Sequence, residues 1–300
     1  MAVSLPAHAQ GLDELITLDA RAGMVAERLL SANSPLCRSH APLTGMVLHS
    51  RDQYKGDWAD RLFVAGPLAV ATVLPGSPAA EAGVQPGDTI ISIGGEIPVT
   101  DGGTLREAGV ALLAARWQPG TPLSVQVSRS GTAHQAGLYP VAGCDVTVEV
   151  TTDDGMAART DGQIIQLGHR LVQAASDSDL AVILAHELGH VILRHRERLH
   201  AAHGGDKAPQ KYRRHAEEEA DRLSPYLVAN SGLNPALVPD FWRSPLGRRV
   251  NRGLLRDRAY PPTSERVRQT QVEATALAAG RLPVPPDLLA SRDQAIITDD

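Results

Sequence analysis

The sequence predicts an α+β protein with two domains, one built from strands and short helices and one mainly helical with a small β-sheet. Two β-like runs, at residues 68–74 and 89–93, are separated by a stretch rich in Pro and Gly. Residues 180–193 are apolar over a length that suits a buried helix. With 300 residues and 43% hydrophobic content, the chain can bury two modest cores.

Composition and charge argue against two classes of protein. The formal net charge of -5 disfavours a nucleic-acid partner, because acidic residues outnumber basic ones and the basic stretches are mixed with acids. The apolar runs stay shorter than the roughly 18 to 20 residues of a membrane-spanning helix. We therefore expect no nucleic-acid binding and no membrane span.

The start of the chain has the pattern of a cleaved export signal. Ala7-His8-Ala9 fits the sequence after which signal peptidases cut, although a basic start and a full apolar segment are absent. We interpret residues 1–10 as the remnant of an export signal and expect a bacterial protein that is periplasmic or otherwise exported. A disordered alanine-rich arm is the alternative.

The two cysteines, Cys37 and Cys144, fit neither a CxxC metal site nor a dense disulfide framework. In an oxidising compartment they could form a disulfide, whereas in a cytosol both would be free thiols. A bridge would restrict the unfolded chain by about 4 to 5 kcal/mol for a loop of roughly 100 residues, according to the loop-entropy model.

Residues 11–62 are predicted to hold an N-terminal helix and a connecting segment. Apolar residues recur at roughly helical spacing over residues 11–31, which indicates an amphipathic helix. Residues 35–62 mix Pro, Gly and polar residues, and this pattern carries no functional prediction.

Residues 63–130 combine their β-like runs with a distinctive turn. Residues 79–82 predict a short helix, residues 83–88 read Gly-x-x-Pro-Gly-Asp, and Gly94-Gly95 predicts a hairpin. This order resembles the PDZ domains of bacterial proteases. The resemblance implies a partly open β-barrel with two helices, in which residues 104–116 form the groove-lining helix and residues 123–128 the closing strand.

The PDZ resemblance also implies a peptide ligand. PDZ domains add the ligand as an extra strand, and backbone N–H groups of a loop hold its terminal carboxylate. We place this loop at Ala65-Gly66-Pro67-Leu68. Pro67 has no N–H, so one donor for the carboxylate would be missing. A PDZ fold that serves only as a spacer or lid is the alternative.

His186-Glu187-Leu188-Gly189-His190 is the strongest candidate for chemistry. On a helix, histidines four residues apart face the same side and can bind one zinc ion, while Glu187 serves as general base. The flanking residues are apolar, so the helix should be buried, and buried polar side chains need a partner such as a metal ion. The motif therefore predicts a hydrolase with one zinc ion per chain.

A catalytic zinc ion takes three protein ligands, so a third must come from elsewhere. The histidines that follow the motif lie in a polar continuation, where we expect exposed side chains; they are His195, His200 and His203. Glu217 and Asp221 lie four apart in a second predicted helix. One carboxylate could bind zinc while the other hydrogen-bonds a ligand histidine, with Glu218 and Glu219 facing away.

HExxH followed by Glu217-x-x-Ala220-Asp221 resembles the gluzincin family of HtpX heat-shock proteases and type 1 CAAX prenyl endopeptidases. The resemblance implies that residues 140–300 form a mainly helical zinc metallopeptidase domain. It further implies that His186, His190 and Glu217 bind the zinc ion and that Asp221 supports a ligand histidine.

A third family element, His-Pro-Pro-x-x-Glu-Arg, reads Tyr260-Pro261-Pro262-Thr263-Ser264-Glu265-Arg266 in this chain. Tyrosine replaces the histidine that is thought to face the transition state. A phenol can still donate a hydrogen bond to an oxyanion, so Tyr260 remains a catalytic candidate. Arg266 either assists Tyr260 or anchors its helix to Asp221 or Glu265.

Gln163, Ile164, Ile165 and Gln166 belong to a strand just before the metal-binding motif. We expect an edge strand that pairs with an extended substrate, and an interior strand is the alternative. Taken together, the sequence predicts a zinc-dependent endopeptidase that acts on protein or peptide substrates in periplasmic quality control. A non-catalytic PDZ adaptor or chaperone on a protease scaffold is the alternative.

Overall fold

The computed structural model describes residues 7–152, 155–203, 208–252, 260–280 and 284–296. The chain forms two compact units, the first comprising Met1–Glu27 and Ser39–Asp145 and the second Arg28–Arg38 and Val146–Asp300. The long N-terminal helix therefore contributes residues to both. The export-signal interpretation of residues 1–10 falls partly outside the described residues, and the helix begins at Ala7.

The first unit is built on an antiparallel five-stranded sheet with strand order β2-β3-β4-β5-β6. Strands β1 and β7 form a separate antiparallel pair. The elements in chain order are α1 (Ala7–Ala32), β1 (His40–Leu43), β2 (Met46–Ser50), β3 (Leu68–Val73), α2 (Pro78–Glu81), β4 (Thr89–Ile93), α3 (Leu105–Arg116), β5 (Leu123–Arg129), β6 (Thr132–Leu138) and β7 (Val141–Cys144).

Alternating burial along the strands builds the core of this unit. Leu123, Val125 and Val127 of β5 face inward, as the period of a strand requires. Helix α3 begins at a capping box formed by Thr104 and Glu107. The sheet extends beyond the predicted boundaries of 63–130, because β2 and β6 are its two edge strands.

The second unit is mainly helical with a small three-stranded sheet of order β8-β10-β9. The mixture of helix and sheet agrees with the predicted α+β class. Its elements are β8 (Thr147–Thr151), β9 (Ala158–Thr160), β10 (Ile164–Gly168), α4 (His169–Ala174), α5 (Asp177–Ile192), α6 (His195–His203), α7 (Gln210–Asn230), α8 (Leu237–Arg243), α9 (Pro245–Arg252), α10 (Thr263–Ala278) and α11 (Pro286–Ala290).

Helix α5 lies at the centre of the second unit. Its apolar residues Leu180, Leu184 and Leu188 are fully buried, and it packs against α7, which in turn packs against α10. Among the described residues, no helix has both the length and the apolar character needed to cross a membrane.

Cys37 and Cys144 are both disulfide-bonded, and no cysteine is free. Of the two states that the sequence left open, the structure therefore contains the bridged one.

Candidate metal centre

Helix α5 presents two histidines on one face. A capping box formed by Ser176 and Asp179 fixes the start of this helix. His186 and His190 lie about one turn apart, and their Nε2 atoms are 3.2 Å from each other. The two ring nitrogens therefore point toward one location.

Glu217 of α7 adds a third donor to this location. Its Oε2 lies 3.3 Å from Nε2 of His186, and its Oε1 lies 3.5 Å from Nε2 of His190. The helices approach closely at Gly189, where a Cβ atom would lie 3.4 Å from Cα of Ala220. Ligand atoms about 2.1 Å from a tetrahedral zinc ion stand about 3.4 Å apart, so the spacing suits such an ion.

One oxygen of the Glu217 carboxylate can still accept a hydrogen bond or bind a cation. This oxygen, Oε2, is buried and accepts no hydrogen bond of good geometry from the described residues, although Nε2 of His186 is 3.3 Å away and Nη2 of Arg266 is 3.7 Å away. A buried carboxylate oxygen without a full partner costs free energy unless a cation meets it. Two imidazoles and a carboxylate form a ligand set that zinc prefers. These residues therefore fit a zinc ion.

The protonation states of these groups are coupled. Burial lowers the pKa of His186, but its interactions with the carboxylates of Asp221 and Glu217 outweigh burial and raise that pKa to about 9. Burial raises the pKa of Glu217, but the charges of His190 and His186 lower it to about 2. Burial also holds the pKa of His190 well below its ordinary value. A proton and a metal ion thus compete for His186.

Asp221 contacts the Nδ1 side of His186, and Arg266 holds Asp221 in place. Asp221 is 0% exposed, and its Oδ1 lies 3.2 Å from Nδ1 of His186. Arg266 donates hydrogen bonds from Nε and Nη2 to the two oxygens of Asp221, each 2.7 Å long. This fixed carboxylate can accept a hydrogen bond from Nδ1–H of His186, which leaves the lone pair on Nε2, 3.3 Å from Nη2 of Arg266, for a ligand. Arg266 therefore anchors α10 to α7 through Asp221.

Trp242 of α8 is a further neighbour that the sequence did not single out. The guanidinium carbon of Arg266 lies 3.5 Å from the centroid of the Trp242 ring, a cation–π contact. The same ring meets His186 edge to face, with centroids 6.1 Å apart. No sequence pattern around Trp242 indicates this position, because it depends on how α8 packs.

His195 is not the exposed histidine that its polar surroundings predicted. It is 2% exposed, and its Nδ1 lies 2.8 Å from Nδ1 of His190. The reason is a break between α5 and α6, where Arg194 has a φ of 56°. This left-handed residue ends α5, so His195 turns back toward it. A non-glycine residue in this conformation costs about 1 to 2 kcal/mol.

Glu219 was expected to face away from the site, but it is buried beside His195. Its Oε2 lies 3.1 Å from Nε2 of His195 and accepts a hydrogen bond of 2.8 Å from Nη1 of Arg198. Burial raises the pKa of Glu219, and these two partners lower it to about 2. Glu219 and Glu217 lie on opposite sides of α7, and the side that carries Glu219 packs against α6.

Glu187 follows His186 on α5, next to the three donors, and its side chain is 8% exposed. Burial raises its pKa to about 7, while the charge of His186 opposes this rise and that of Glu217 adds to it. A carboxyl group with this pKa can both take up and release a proton at neutral pH.

Tyr260 is more exposed than the residues predicted at the metal centre, His186, Glu187, His190 and Glu217. It is 43% exposed and follows residues 253–259, which lie outside the described part of the chain. Burial lowers the pKa of Arg266, but the charge of Asp221, the hydrogen bonds to it, the charge of Glu217 and the ionised form of Tyr260 raise it overall. Tyr260 therefore lies within electrostatic range of Arg266.

The strand predicted to bind substrate is an interior strand. β10 pairs with β8 on one side and with β9 on the other, so it has no free edge. Ile165 is buried, and the side chain of Gln166 bonds to Arg159 and Glu149. Gln163 precedes the strand, and Ile164 begins it. The edge-strand prediction for these four residues was wrong, because sequence alone does not show which strands flank β10.

The predicted carboxylate-binding loop is also misplaced. Residues 65–68 lead into β3, which is flanked by β2 and β4 and cannot accept another strand. The edge strand beside α3 is β2, where the backbone N–H of Arg106 donates to Oγ of Ser50. Leu43, Thr44 and Gly45 precede β2, so Pro67 plays no part in its loop. The long irregular connection between β2 and β3 hid this pairing.

The carboxylate of Glu27 in α1 accepts a hydrogen bond from the backbone of the loop before β2. The backbone N–H of Gly45 donates a hydrogen bond of 2.8 Å to Oε1 of Glu27. Farther along the same helix, Asp19 pairs with His49 of β2 at 3.0 Å. Burial raises the pKa of Glu27, and the Gly45 bond partly offsets that rise. Asp19 and Glu27 of α1 therefore contact the strand that a peptide would join and the loop before it.

Comparisons with known proteins identify part of the first unit. A family model described as "PDZ domain" matches residues 70–108. No curated protein sequence matches the chain significantly.

Among solved structures, an HtrA-type protease AlgW with decapeptide matches at 25% identity over 35% of this chain and 29% of its own, with a TM-score of 0.26. Its AlgWS227A form with decapeptide matches at 22% identity over 39% of this chain and 33% of its own, with a TM-score of 0.28. This chain thus spans about a third of their length, and TM-scores this low support no conclusion about fold or activity. The family model and the sheet order identify a PDZ domain in the first unit.

Proposed function

We propose that the second unit is a zinc-dependent metalloendopeptidase centre of the gluzincin type, with one zinc ion per chain held by His186, His190 and Glu217. One observation carries this proposal. The three donors converge at separations of 3.2 to 3.5 Å, and the buried Oε2 of Glu217 has no good hydrogen bond from the described residues. The separations match a tetrahedral zinc ion.

Glu187 is the proposed general base. Bound zinc supplies Lewis acidity, which polarises a substrate carbonyl and acidifies water. The carboxylate of Glu187 takes a proton from the attacking water and delivers it to the nitrogen of the leaving amine. In the metal-free protein, burial raises the pKa of Glu187, so its carboxyl group is suited to holding a proton between these two steps.

Tyr260 is the proposed second catalytic residue, and its hydroxyl would donate a hydrogen bond to the developing oxyanion. Its electrostatic interaction with Arg266 supports a position on this side of the centre. Arg266 acts through Asp221, keeping His186 oriented.

An edge strand of the small sheet would align an extended protein substrate. Among the described strands, β9 pairs only with β10, and it packs against α5, which carries Glu187. A substrate that adds to β9 (Ala158–Thr160) would be held through its backbone, without a requirement for one sequence. β9 thus takes the role expected of residues 163–166.

Peptide binding to the PDZ domain is a second proposed activity, supported by the position of β2 as an edge strand beside α3. A C-terminal carboxylate entering the loop before β2 would meet a Gly45 N–H that Glu27 already uses. We propose that such ligands bind in competition with Glu27. Bacterial export to the periplasm and a role in protein quality control remain proposals that rest on the sequence.

The proposed chemistry is tested with the Glu187→Gln variant and a matched Glu218→Gln control. Each protein is loaded with zinc, its metal content is measured, and it is incubated with unfolded casein. We expect about one zinc ion in all three proteins, and fragments from the wild type and the control but not from Glu187→Gln. Cleavage by Glu187→Gln would reject the role of Glu187. Casein binding by the zinc-loaded wild type without fragments would favour the adaptor instead.

A further inference from the structure

The two candidate histidine ligands are supported in different ways. A histidine that coordinates zinc through Nε2 must carry its proton on Nδ1, and a partner at Nδ1 fixes this tautomer. For His186 the partner is the carboxylate of Asp221, 3.2 Å from Nδ1. For His190 the partner is another histidine, His195.

The short distance between His190 and His195 limits where the protons are. Their Nδ1 atoms are 2.8 Å apart, so only one of the two can carry hydrogen. His195 is hydrogen-bonded at its other nitrogen, where Nε2 lies 3.1 Å from Oε2 of Glu219. A carboxylate accepts hydrogen bonds only, so Nε2 of His195 must be the donor. A neutral His195 then accepts at Nδ1, and the shared hydrogen belongs to Nδ1 of His190.

Arg198 keeps Glu219 in this role. Its Nη1 donates to Oε2 of Glu219 at 2.8 Å, and its Nε donates to the carbonyl oxygen of Gln294 at 3.0 Å. All three members of this group are buried; they are His195, Arg198 and Glu219. A buried pair of opposite charges excludes water that would otherwise reorient the imidazole.

We propose that His195, Glu219 and Arg198 are positioning residues that fix the tautomer of His190, so that its Nε2 lone pair is available to the metal ion. The inference rests on the proposed zinc site. It explains why a costly left-handed residue, Arg194, turns His195 back toward α5. Each candidate histidine ligand is thus backed by a carboxylate and an arginine, directly for His186 and through His195 for His190.

Nitrogen-15 NMR of the histidine rings in the metal-free protein at pH 8 tests the tautomers without any activity. We expect a proton on Nδ1 of His190 and on Nε2 of His195. Resonances are assigned with the His190→Gln and His195→Gln variants. A wild-type His190 protonated at Nε2 and not at Nδ1 would overturn the inference, whether or not zinc binds.

Zinc affinity, measured by competition with a chelator, provides the second readout. Gln at position 195 can accept from His190 and donate to Glu219, whereas Leu can do neither. We expect His195→Leu to bind zinc about 10- to 100-fold more weakly and His195→Gln to recover most of this loss. His200→Leu, at an exposed position of α6, is the matched control.

The outcomes separate the two proposals. Circular dichroism must first show that the variants are folded, and His195→Gln keeps the test valid if His195→Leu unfolds. Equal zinc affinity of folded His195→Leu and wild type would overturn the positioning role, as would a His195→Gln variant that binds as weakly as His195→Leu. Failure of the wild type to bind zinc would reject the proposed function, whereas the tautomer measurement would still decide the inference.

Discussion

The metal centre of the second unit and the loop before β2 in the first unit differ in what remains for a ligand. At the metal centre, the buried Oε2 of Glu217 has no good hydrogen bond from the described residues. In the loop, the N–H of Gly45 is already bonded to Glu27. A metal ion at the centre meets a carboxylate oxygen that has no good hydrogen bond. A carboxylate that enters the loop must instead displace the side chain of Glu27. The two sites should therefore respond in opposite ways when a carboxylate is removed.

The largest expected effect comes from the carboxylate behind the centre. Asp221→Asn removes the anion nearest to the buried Arg266 and leaves it only Glu217, 3.7 Å away, so we expect a loss of about 3 to 5 kcal/mol in the free energy of unfolding. Urea unfolding of the metal-free protein, followed by circular dichroism, measures it. Glu218→Gln, which breaks a partly exposed pair with Arg214, should cost about 0.5 kcal/mol or less. Similar losses in both variants would contradict the account of the centre.

The coupled protons predict how zinc binding depends on pH. In the metal-free protein, the raised pKa of His186 stabilises the fold fully below its ordinary value of 6.5, and this contribution disappears as pH rises through about 9. Zinc must displace that proton, so affinity should rise about tenfold per pH unit toward pH 9. Calorimetry at pH 7 in two buffers of different ionisation enthalpy should detect release of about one proton from His186. Binding without proton release would show that His186 is neutral.

A smaller effect is expected in the PDZ loop. Glu27→Ala frees the N–H of Gly45, so decapeptides with a free C-terminal carboxylate should bind roughly five- to tenfold more tightly, equivalent to about 1 kcal/mol. The same peptides as C-terminal amides should change little. Fluorescence anisotropy with both peptide sets measures this, and Glu14→Ala, exposed on the same helix, is the control. An equal increase in affinity for peptide acids and peptide amides would show that Glu27 does not compete with a ligand carboxylate.

The sequence predicted local structure better than pairing between distant segments. β4 has the predicted bounds, and α3 begins directly after Thr104, because turn and capping residues mark both in the sequence. His186 and His190 face one location, as their spacing on one helix indicated. These features depend on residues close in sequence or on one helical face. Glu217 is different, because it joins the histidines through the packing of α7 against α5, which spacing alone did not indicate.

The errors share a physical cause. β10 was placed at an edge, and β2 was missed, because neighbours within a sheet are chosen by long-range packing. His195 was expected in a polar continuation of α5, but the left-handed Arg194 interrupts the helix. Arginine gives no warning of this conformation, whereas a glycine at the same position would have indicated it.

The most direct test of the central claim is the zinc affinity of the Glu217→Gln variant. Gln has the same size but lacks the charge, so the folded variant should bind zinc more weakly than wild type by more than the roughly 100-fold that an outer partner can cost. Mass spectrometry of metal content and chelator competition measure this, with Glu218→Gln expected to bind about one zinc ion per chain. A Glu217→Gln variant that holds zinc as tightly as wild type would contradict the account.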